Sequence, residues 1–558
     1  MSLLLYSMVA LVPLVTIFAL LVIARRPAAQ VMPVAYLVTV GIALGAWRVP
    51  VAEVAAASVQ GLVAAAEILY ILFGAILLLN TLQVSGAIAS IRQSLLGISP
   101  DRRIQVILIA WLFGSFIEGA SGFGTPAVIT VPLMVAIGFP PLAAVISALI
   151  IQSTPSTFGA VGTPLLIGVD VGLGGAPIAQ QQLTELGLDQ AEYLALVGRW
   201  AGVFHGIIGT FLPLVLVLVL TTRFGENRSL AEGLAVWKFA LFAGLAFTVP
   251  YTLTALLLGP EFPTLIGGLV GLSIVIPAAR RGFLAPPQIW TFAPQRPESR
   301  SGPSIDGPSL PSHRHLSAPK AWLPYGLLGL FLMLSRLKFL PLREWLQSVT
   351  LTVPNLFGTA VSVTTQPLYL PPTIFIGVVG VTFFLHRMKL SAMQQALAHS
   401  FPILRKTALA LGAAVLMARA FINTGVNAAG LDSMPLTLAE GIAALTGQTW
   451  PLFAPLVGLI GSFVAGSVTV SNMMFSLFQL GVALQIGVPT AMILGLQCVG
   501  ASAGNIVCVS NVVAAEATAG LVGREGTLIR WGLVPTLYYA LFAGFLGMLY
   551  FPLANLFL

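Results

Sequence analysis

The sequence has very few charged residues. Of its 558 residues, 26 are Lys or Arg and 18 are Asp or Glu, so charged side chains make up 8% of the chain. An average soluble domain is about one quarter charged. A soluble protein of this length could not cover its surface with so few charges, which excludes an ordinary globular enzyme, a disordered chain and a nucleic-acid-binding protein. The net charge of +8 is instead typical of a membrane protein with basic cytoplasmic loops.

Cysteine and histidine are also scarce, with two and five residues. Cys498 and Cys508 lie in apolar sequence near the C-terminus, so no disulfide framework is predicted. The sequence has no HExxH zinc helix and no Walker A lysine loop, and it offers no constellation for an intramembrane hydrolase. We therefore expect no enzymatic activity, no metal site and no cofactor. His313 and His315 fall in polar sequence, and we expect them to be solvated rather than metal-bound.

Long apolar runs dominate the chain. Hydrophobic residues make up 57% of the sequence, and the mean hydropathy is +0.97. A helix needs about 20 mostly apolar residues to cross a bilayer, so the runs predict an all-α polytopic membrane protein with roughly 12 to 14 segments. The 56 glycines and 38 prolines favour a transporter with interrupted helices over a simple bundle. The runs lie at 3–23, 31–47, 62–85, 104–137, 142–171, 193–220, 234–258, 263–279, 322–340, 370–385, 404–421, 451–484, 490–513 and 528–550.

Basic residues predict the orientation of these segments. The first run lacks the charged start of a cleaved signal, so we interpret it as a retained helix with the N-terminus outside. Alternating crossings then place most Lys and Arg residues in the cytoplasm, as the positive-inside rule requires. Arg336, Lys338 and Arg343 fit this orientation least well. The cytoplasmic segments carry Arg25, Arg26, Arg92, Arg102, Arg103, Arg223, Arg228, Lys238, the basic residues of 280–320, Arg387, Lys389, Arg405, Lys406, Arg524 and Arg530.

A polar segment divides the apolar chain in two. From 282 to 321 prolines, serines and charged residues replace the apolar runs, which predicts a flexible cytoplasmic linker. The predicted domains are an N-terminal membrane half at 1–281, the linker at 282–321 and a C-terminal membrane half at 322–558.

The two halves contain similar local sequences. GSFIEGAS at 114–121 resembles GSFVAGSV at 461–468, and each is followed about 35 residues later by a polar segment, QSTPSTFG at 152–159 and QCVGASAG at 497–504. The first motif follows a basic loop and the second an acidic loop, so their helices are predicted to enter from opposite sides. This pattern indicates an inverted-repeat secondary transporter with broken or re-entrant helices.

The small and polar residues of these segments predict a binding site. A helix that starts inside the membrane presents backbone N–H groups with partial positive charge, and such an end can bind a carboxylate without a buried arginine. Hydroxyl and amide groups at the breaks could add contacts. Tight helix packing is the alternative, and it is the more common explanation for any single Ser or Thr. The candidates are Ser121, Thr125, Ser467, Thr469, Ser471 and Asn472.

Ionisable groups within the runs are a second class of candidate, because burying them in a membrane is costly. Glu118 lies beside the first break and is the sharpest candidate for function, with a structural carboxylate as the alternative. His205 could relay protons, although a satisfied buried histidine is more common. Arg199 could pair with the substrate or a carboxylate, or could anchor its helix near the outer interface. Arg419 lies near the end of an apolar helix, and its role is left open between function and structure. For Asn472, Asn505 and Asn511 we favour roles in substrate binding or gating over roles in packing.

These segments resemble the bacterial L-lactate permease family of proton-coupled lactate and glycolate transporters. The similarity covers most of the chain except the linker and parts of the adjacent loops. Its elements are GSFIEGASGFGTPAVI (114–129), STFGAVGTPLL (156–166), LVGRW (196–200), GPEFPTLIGGLVGL (259–272), GSFVAGSVTVSNMMF (461–475), LQCVGASAGNIVCVSNVV (496–513) and GLVGREG (520–526). Asp170 and Glu516 depart from the residues usual there, so neither inherits a role.

The resemblance implies uptake of L-lactate, D-lactate or glycolate with a proton across the bacterial plasma membrane. By analogy with related anion transporters, it implies scaffold helices around a transport domain that moves as an elevator, and an oligomer is possible. Glu118 and His205 are the expected proton-coupling residues, with Arg199 and Arg419 as charge partners. The expected substrate-binding residues are Ser121, Gly122, Thr125, Ser156, Thr157, Ser467, Thr469, Ser471, Asn472 and Asn505.

Two other classes of function remain as alternatives. A channel would need a pore built by symmetry or by rings of charge, and the paired motifs argue against it. A sodium-coupled or exchange-type transporter of another small organic anion is the closest alternative.

Overall fold

The computed structural model describes residues 3–24, 26–95, 97–122, 124–292, 316–336, 340–521 and 523–551. These residues are almost entirely helical. Twelve helical stretches of the described residues, some made of two successive helices, are long and apolar enough to cross a membrane. This number lies within the 12 to 14 segments predicted. The chain is therefore a multi-pass α-helical membrane protein, as the apolar runs predicted.

The helices alternate with short connections. The N-terminal half contains α1 (Leu3–Phe18), α2 (Ala28–Gly45), α3 (Val51–Val84), α4 (Ala87–Leu95), α5 (Arg102–Val106), α6 (Ser115–Ser121), α7 (Thr125–Ala136), α8 (Pro141–Ile150), α9 (Gly159–Thr163), α10 (Asp170–Leu173), α11 (Pro177–Leu186), α12 (Gln190–Thr210), α13 (Leu212–Phe224), α14 (Leu230–Leu234), α15 (Trp237–Leu257) and α16 (Pro263–Arg280). Wider π-helical turns at Ala19–Ile23, Ile107–Gly114 and Pro164–Val169, and 3₁₀ turns at Ile151–Ser153 and Ser156–Phe158, extend several of them.

The C-terminal half is also mainly helical. It contains α17 (Ala318–Arg336), α18 (Pro341–Gln347), α19 (Pro371–Leu385), α20 (Leu390–Ile422), α21 (Met434–Thr446), α22 (Trp450–Ala465), α23 (Val468–Ile486), α24 (Thr490–Gly504), α25 (Val509–Thr518) and α26 (Glu525–Tyr550). A small antiparallel hairpin of β1 (Leu351–Val353) and β2 (Val363–Thr365) pairs Leu351 with Thr365.

The first motif forms a helical hairpin, hairpin 1, that runs from Arg102 to Ala136. Its first arm is continuous from Arg102 to Ser121, and the chain reverses before α7 begins at Thr125. The two ends of the hairpin meet, because the Arg102 guanidinium lies 5.8 Å from the centre of the Phe139 ring. Gly122 makes the reversal possible with φ +60° and ψ −158°, a conformation accessible almost only to glycine.

The second motif forms hairpin 2 from α22 and α23. Gly466 ends α22 in the left-handed conformation with φ +75°, and the Ser467 side chain caps the N-terminus of α23 by accepting from the Val470 N–H. The Ser471 hydroxyl donates to the Gly458 carbonyl across the hairpin at 2.9 Å. Near the open end, the Trp450 indole donates to Gln479 Oε1 at 2.8 Å. These bonds hold the two arms side by side.

Each hairpin is followed by a broken helix. After hairpin 1, the segment from Pro141 to Leu173 is interrupted between Ile151 and Thr163, and after hairpin 2 the break at 505–508 separates α24 from α25. The packing across the two halves is reciprocal. The end of the first broken helix, α10 with the turn before it, packs on α23, and α25 packs on α7 and α8. Each broken helix therefore contacts the hairpin of the other half.

The long helices α3 and α20 pack along each other, with α2 against α20 and α19 against α3. Part of α3 also contacts α6 and α9. This group borders the hairpins and broken helices on one side, while α12, α15 and α26 pack around α24 and α16 elsewhere in the molecule.

The base of hairpin 1 is fixed by a buried ion pair. Arg103 is 2% exposed, and its Nη2 donates to Asp101 Oδ2 at 2.6 Å. The same guanidinium donates to the backbone carbonyls of Glu232 and Gln288, and Trp290 N–H donates to Asp101. The start of the predicted flexible linker is thus packed against this base, with Trp290 7% exposed. The linker residues 293–315, including His313 and His315, and also Arg25 and Lys338, lie outside the described residues.

We expect Arg103→Gln to lower the free energy of unfolding by about 3–5 kcal/mol, because it leaves the buried Asp101 carboxylate without its cation. The measurement is denaturant or thermal unfolding of the purified protein in detergent. Arg102→Gln is the matched control, since Arg102 bonds to Gln105 at a less buried position and its loss should cost less than about 1 kcal/mol. Equal losses for the two variants would contradict a special role for the pair.

Candidate functional site

The tips of the two hairpins border one cavity of about 560 Å³. Its wall combines residues from both hairpins, both broken helices and the long helices α3 and α20. The polar and tip residues on the wall are Asn80, Gln83, Glu118, Gly122, Gly124, Thr125, Ser156, Gly159, Gly466, Ser467, Thr469, Asn505, Ser510 and Asn511. The cavity therefore lies where the four interrupted segments meet.

The first turn of α25 joins the two hairpin tips. A Cβ atom on Gly124 would stand 3.4 Å from Asn511 Oδ1, and one on Gly466 would stand 2.8 Å from Ser510 Oγ. The Ser510 hydroxyl also donates to the Gly466 carbonyl at 3.5 Å. Two neighbouring residues thus contact different tips, and they bring the segments 114–126 and 461–472 to one place in the fold.

Three helices begin at this cavity. They are α7 at Thr125, α23 at Val468 and α25 at Val509, and residues of the first turn of each line the wall. The N-terminal end of a helix carries roughly half a positive elementary charge. Among the described residues on the wall, Arg, Lys and His are absent. The positive potential available to an anion in this cavity therefore comes from backbone N–H groups.

Glu118 is the ionisable residue on the described wall, and its side chain is 3% exposed. The Ser156 hydroxyl donates to Glu118 Oε1 at 3.1 Å, whereas Oε2 has no hydrogen-bond partner among the described residues. A Cβ on Gly159 would stand 2.8 Å from Oε1, so glycine leaves the room that the carboxyl group occupies. Burying a charged carboxylate with one neutral donor is costly, so this group needs a proton or a ligand.

A chain of amides connects Glu118 with the second half of the protein. Asn505 Nδ2 donates to Ser156 Oγ at 3.2 Å and to Gln152 Oε1 at 2.9 Å. Asn511 Nδ2 donates to Asn505 Oδ1 at 2.6 Å and to the same Gln152 oxygen at 3.3 Å. These side chains come from the two broken helices, so the hydrogen bonds hold the two halves in register at the cavity.

The wall beside Gly122 has an unusual backbone. Ala160, Val161 and Gly162 all have positive φ, at 44°, 58° and 77°. For a β-branched residue such as Val161 this is a rare and strained conformation. The strained turn places Ala160 against the first hairpin tip, where a Cβ on Gly122 would stand 2.8 Å from the Ala160 Cβ.

The predicted substrate-binding residues divide into two groups. Six lie on the cavity wall, and these are Gly122, Thr125, Ser156, Ser467, Thr469 and Asn505. Four lie behind it. Ser121 is bonded to the Thr125 hydroxyl, Ser471 ties the arms of hairpin 2, and Asn472 donates to the Pro164 carbonyl at 2.9 Å. Thr157, the fourth, belongs to the histidine network described next.

His205 is buried away from the cavity wall. Its Nε2 lies 2.8 Å from the Thr157 hydroxyl, and its Nδ1 lies 2.6 Å from the Tyr539 hydroxyl. Thr157 in turn bonds to Ser502, and Tyr539 to Thr154. Both ring nitrogens therefore have hydroxyl partners. This environment is that of a satisfied histidine, which was the alternative considered for this residue.

The two candidate arginines also lie outside the cavity. Arg199 is exposed and borders a separate cleft with Glu185, Glu192, Glu261 and Arg343. Arg419 is buried, and its Nη1 donates to the Gly174 carbonyl at 3.0 Å, while Asp170 and Glu67 act on it electrostatically. Arg419 thus joins α20 to the end of the first broken helix, a contact between helices rather than a contact with the cavity.

Sequence reasoning missed four polar residues on or beside the wall, one of which is Ser510 on α25. Gln152 supplies the oxygen that accepts from both Asn505 and Asn511. It begins the segment QSTPSTFG but was not predicted as a site residue. Asn80 and Gln83 lie on α3, outside both repeats. An amide within an apolar run was the signal for Asn80, since burying polar groups in a membrane is costly.

Comparison with known proteins assigns the family. Residues 6–554 match the family described as L-lactate permease. The chain belongs to the L-lactate permease family. The glycolate permease of Escherichia coli is 28% identical over 97% of this chain and 95% of its own length. The L-lactate permease of Bacillus subtilis has the same identity and coverage, and that of Salmonella typhimurium is 27% identical over 96% and 94%. The resemblance inferred from the motifs is confirmed.

In this member of the L-lactate permease family, we expect Gly122→Ala to lower the free energy of unfolding by more than Gly175→Ala. Both glycines have positive φ, so both variants should incur strain of about 1–3 kcal/mol. A Cβ on Gly122 also meets Ala160, whereas one on Gly175 has nothing within 4 Å. Unfolding of the two purified variants measures the difference. If the two losses were equal, the close contact between Gly122 and Ala160 would carry no energy.

Proposed function

We propose that this protein imports L-lactate and related 2-hydroxy monocarboxylates, D-lactate and glycolate among them, by proton symport across the bacterial plasma membrane. The single observation that carries the proposal is the cavity at the hairpin tips. Three helix N-termini face it, and the described wall holds one carboxyl group and no cationic side chain. The names of the relatives, which specify lactate and glycolate, support the same class of small anion.

The substrate carboxylate binds at the helix N-termini. The first turns of α7, α23 and α25 supply backbone N–H groups, and the hydroxyls of Thr125, Ser467 and Thr469 stand beside them. Three such ends contribute positive potential without a fixed full charge. Ser156 and Asn505 complete the polar side of the cavity. This arrangement suits a small anion, which can be released again because it makes no salt bridge.

Glu118 carries the coupled proton. An ionised Glu118 would repel the substrate carboxylate in the same small cavity. Protonation removes the repulsion and allows the free oxygen Oε2 to become a donor. Binding of the proton and binding of the anion therefore assist each other, and this linkage is reciprocal. One proton binds with one monocarboxylate, so the pair adds no net charge to the site.

The two halves form an inverted repeat that gives the site access to either side. The base of hairpin 2 lies against Gly547, near the C-terminal end of α26. The base of hairpin 1 is hydrogen-bonded to Trp290. The residue after Phe224 faces Trp290. The Phe224 ring packs edge-to-face on Trp531, near the N-terminal end of α26. At 26 residues, α26 is roughly 39 Å long. These contacts support hairpins that enter from opposite sides.

The basic loops set the orientation of this repeat. The base of hairpin 1 and the linker lie in the cytoplasm, and the N-terminus lies outside, in line with the positive-inside rule. The domains are the membrane halves 1–281 and 322–558 with the linker 282–321 between them. The hairpins and broken helices move as a transport domain past the α2, α3, α19 and α20 group, in the manner of an elevator.

We expect purified protein in proteoliposomes to take up radiolabelled L-lactate without ATP when the interior is more alkaline than the exterior. One pH unit is worth about 1.4 kcal/mol per proton, so symport of one proton should support roughly tenfold accumulation. Uptake should rise as the exterior becomes more acidic, because the proton and the anion bind together. Uptake that followed an imposed sodium gradient and ignored the pH gradient would favour the sodium-coupled alternative.

We expect Glu118→Gln to bind and exchange lactate but to lose the acceleration by a pH gradient. Glutamine imitates the protonated carboxyl group, and its Oε1 can still accept from the Ser156 hydroxyl. Initial rates of uptake at several imposed pH gradients, beside lactate–lactate exchange at equal pH, separate the two activities. We expect Glu118→Ala to be worse in both assays, because it also removes the hydrogen bond to Ser156.

Glu516→Gln is the matched control. Glu516 is 2% exposed, and its Oε1 also lacks a partner among the described residues, but it does not border the cavity. This variant should keep the pH dependence of the unmodified protein. If Glu118→Gln accumulated lactate with unchanged pH dependence at normal expression, Glu118 would be structural, and His205 would be the next proton carrier to test.

A further inference from the structure

The amide chain at the cavity ends at Asn511, whose side-chain oxygen accepts no hydrogen bond from a described residue. Asn511 donates two side-chain hydrogen bonds through Nδ2, to Gln152 and to Asn505. Its Oδ1 receives no hydrogen bond from a described residue and stands 3.4 Å from the position of a Cβ on Gly124, at the tip of hairpin 1. Asn511 itself lines the cavity. An acceptor is therefore presented at the place where the substrate binds.

The orientation of this amide is fixed by its neighbours. Gln152 Nε2 donates to the Ala148 carbonyl at 3.3 Å, so Gln152 must turn its oxygen toward the other two amides. Asn505 and Asn511 must then present their NH₂ groups to that oxygen. The Asn505 oxygen accepts the second proton of Asn511. A flipped Asn511 would bring its oxygen against two other oxygens, so Oδ1 stays on the cavity side.

A free acceptor beside a bound carboxylate selects ligands that carry a donor. The α-hydroxyl of a 2-hydroxy acid has such a proton, the oxygen of a 2-oxo acid has none, and an unsubstituted acid has no polar group at that carbon. A ligand without a donor would leave the amide oxygen unpaired in a desolvated site, which costs free energy. Glu118 stands at the other end of the same chain, through Ser156 and Asn505.

We propose that Asn511 is the residue that selects 2-hydroxy acids, by accepting a hydrogen bond from the α-hydroxyl through Oδ1. This inference rests on the proposed function of the cavity as a monocarboxylate site. The carboxylate lies at the helix N-termini and the α-hydroxyl points to the first turn of α25. Asn511 thus sets which acid is bound, while Glu118 couples binding to the proton.

The first experiment uses the unmodified protein in proteoliposomes under a fixed pH gradient. Unlabelled lactate, glycolate, pyruvate and propionate compete with the uptake of radiolabelled lactate. We expect lactate and glycolate to compete roughly 3- to 10-fold more strongly than pyruvate and propionate, as one neutral hydrogen bond allows. Equal competition by pyruvate or propionate would overturn the inference without any variant, while lactate uptake itself would leave the proposed function standing.

The second experiment replaces the amide. Asn511→Leu keeps a similar volume and removes the acceptor, so it should weaken competition by lactate and glycolate 3- to 10-fold and leave propionate and pyruvate nearly unchanged. An equal loss for all four acids would indicate a structural role and overturn the inference. Ser510→Ala is the matched control, since it changes the adjacent cavity residue, and it should preserve the ratio between lactate and propionate.

The outcomes separate the two proposals. If the unmodified protein took up no lactate under any gradient, the proposed function would fail, and the inference with it. If lactate uptake followed the pH gradient but Asn511→Leu kept the full preference for lactate over propionate, only the assignment of Asn511 would fail. A changed preference in Ser510→Ala of the same size would also overturn it, because the effect would then belong to the local packing of α25.

Discussion

Four apolar segments of this protein stop and restart within their length, and every backbone group released at those breaks needs a partner. In an apolar surrounding, an unpaired N–H or carbonyl is costly, so irregular backbone survives only where it is buried in protein or lines a cavity. The hairpins and broken helices meet this requirement together. Their breaks converge on one cavity, where hydroxyls and amides supply the missing bonds. The reciprocal packing of the two halves follows from this convergence.

The electrostatics of the cavity follow from the same breaks. In the proposed elevator mechanism, an arginine would bind a carboxylate tightly but would be costly to carry across a membrane when the site is empty. Helix N-termini provide a weaker and permanent positive potential. Against this potential a single carboxyl group, Glu118, decides whether the site is negative or neutral. In the proposed mechanism, the need for a proton arises because Glu118 has one neutral donor and no described cation beside it.

Much of this arrangement could be read from the sequence, and the limits have physical causes. The composition and the apolar runs predicted the fold class, and the paired motifs located the breaks, because similar glycine-containing and small polar segments recur at matching positions in the two halves. Glu118 followed from the cost of burying a charge. The division of hydroxyls between the wall and the packing behind it could not be predicted. Ser121 and Thr125 both carry a hydroxyl and are four positions apart, yet only Thr125 borders the cavity.

Contacts between the two halves were the hardest features to predict. Gln152 belongs to the first half, and Asn505 and Asn511 belong to the second, so their bonds depend on a tertiary contact between segments about 350 positions apart. His205 is a further case. As an isolated histidine in an apolar run it allowed either proton transfer or a satisfied buried role, and its hydroxyl neighbours come from the distant Thr157 and Tyr539. The left-handed turn at Ala160–Gly162 likewise depends on its packing against hairpin 1.

The contacts made by the first turn of α25 bear on how the two hairpin tips can move apart. Ser510 and Asn511 are neighbours on one rigid helix, and each contacts a different hairpin tip. A displacement that releases one tip therefore moves the seat of the other. A state with both tips withdrawn loses the contacts of Ser510 and of Asn511 with the hairpins at once. A path open past both tips would require that state, so it would be costlier than the withdrawal of one tip.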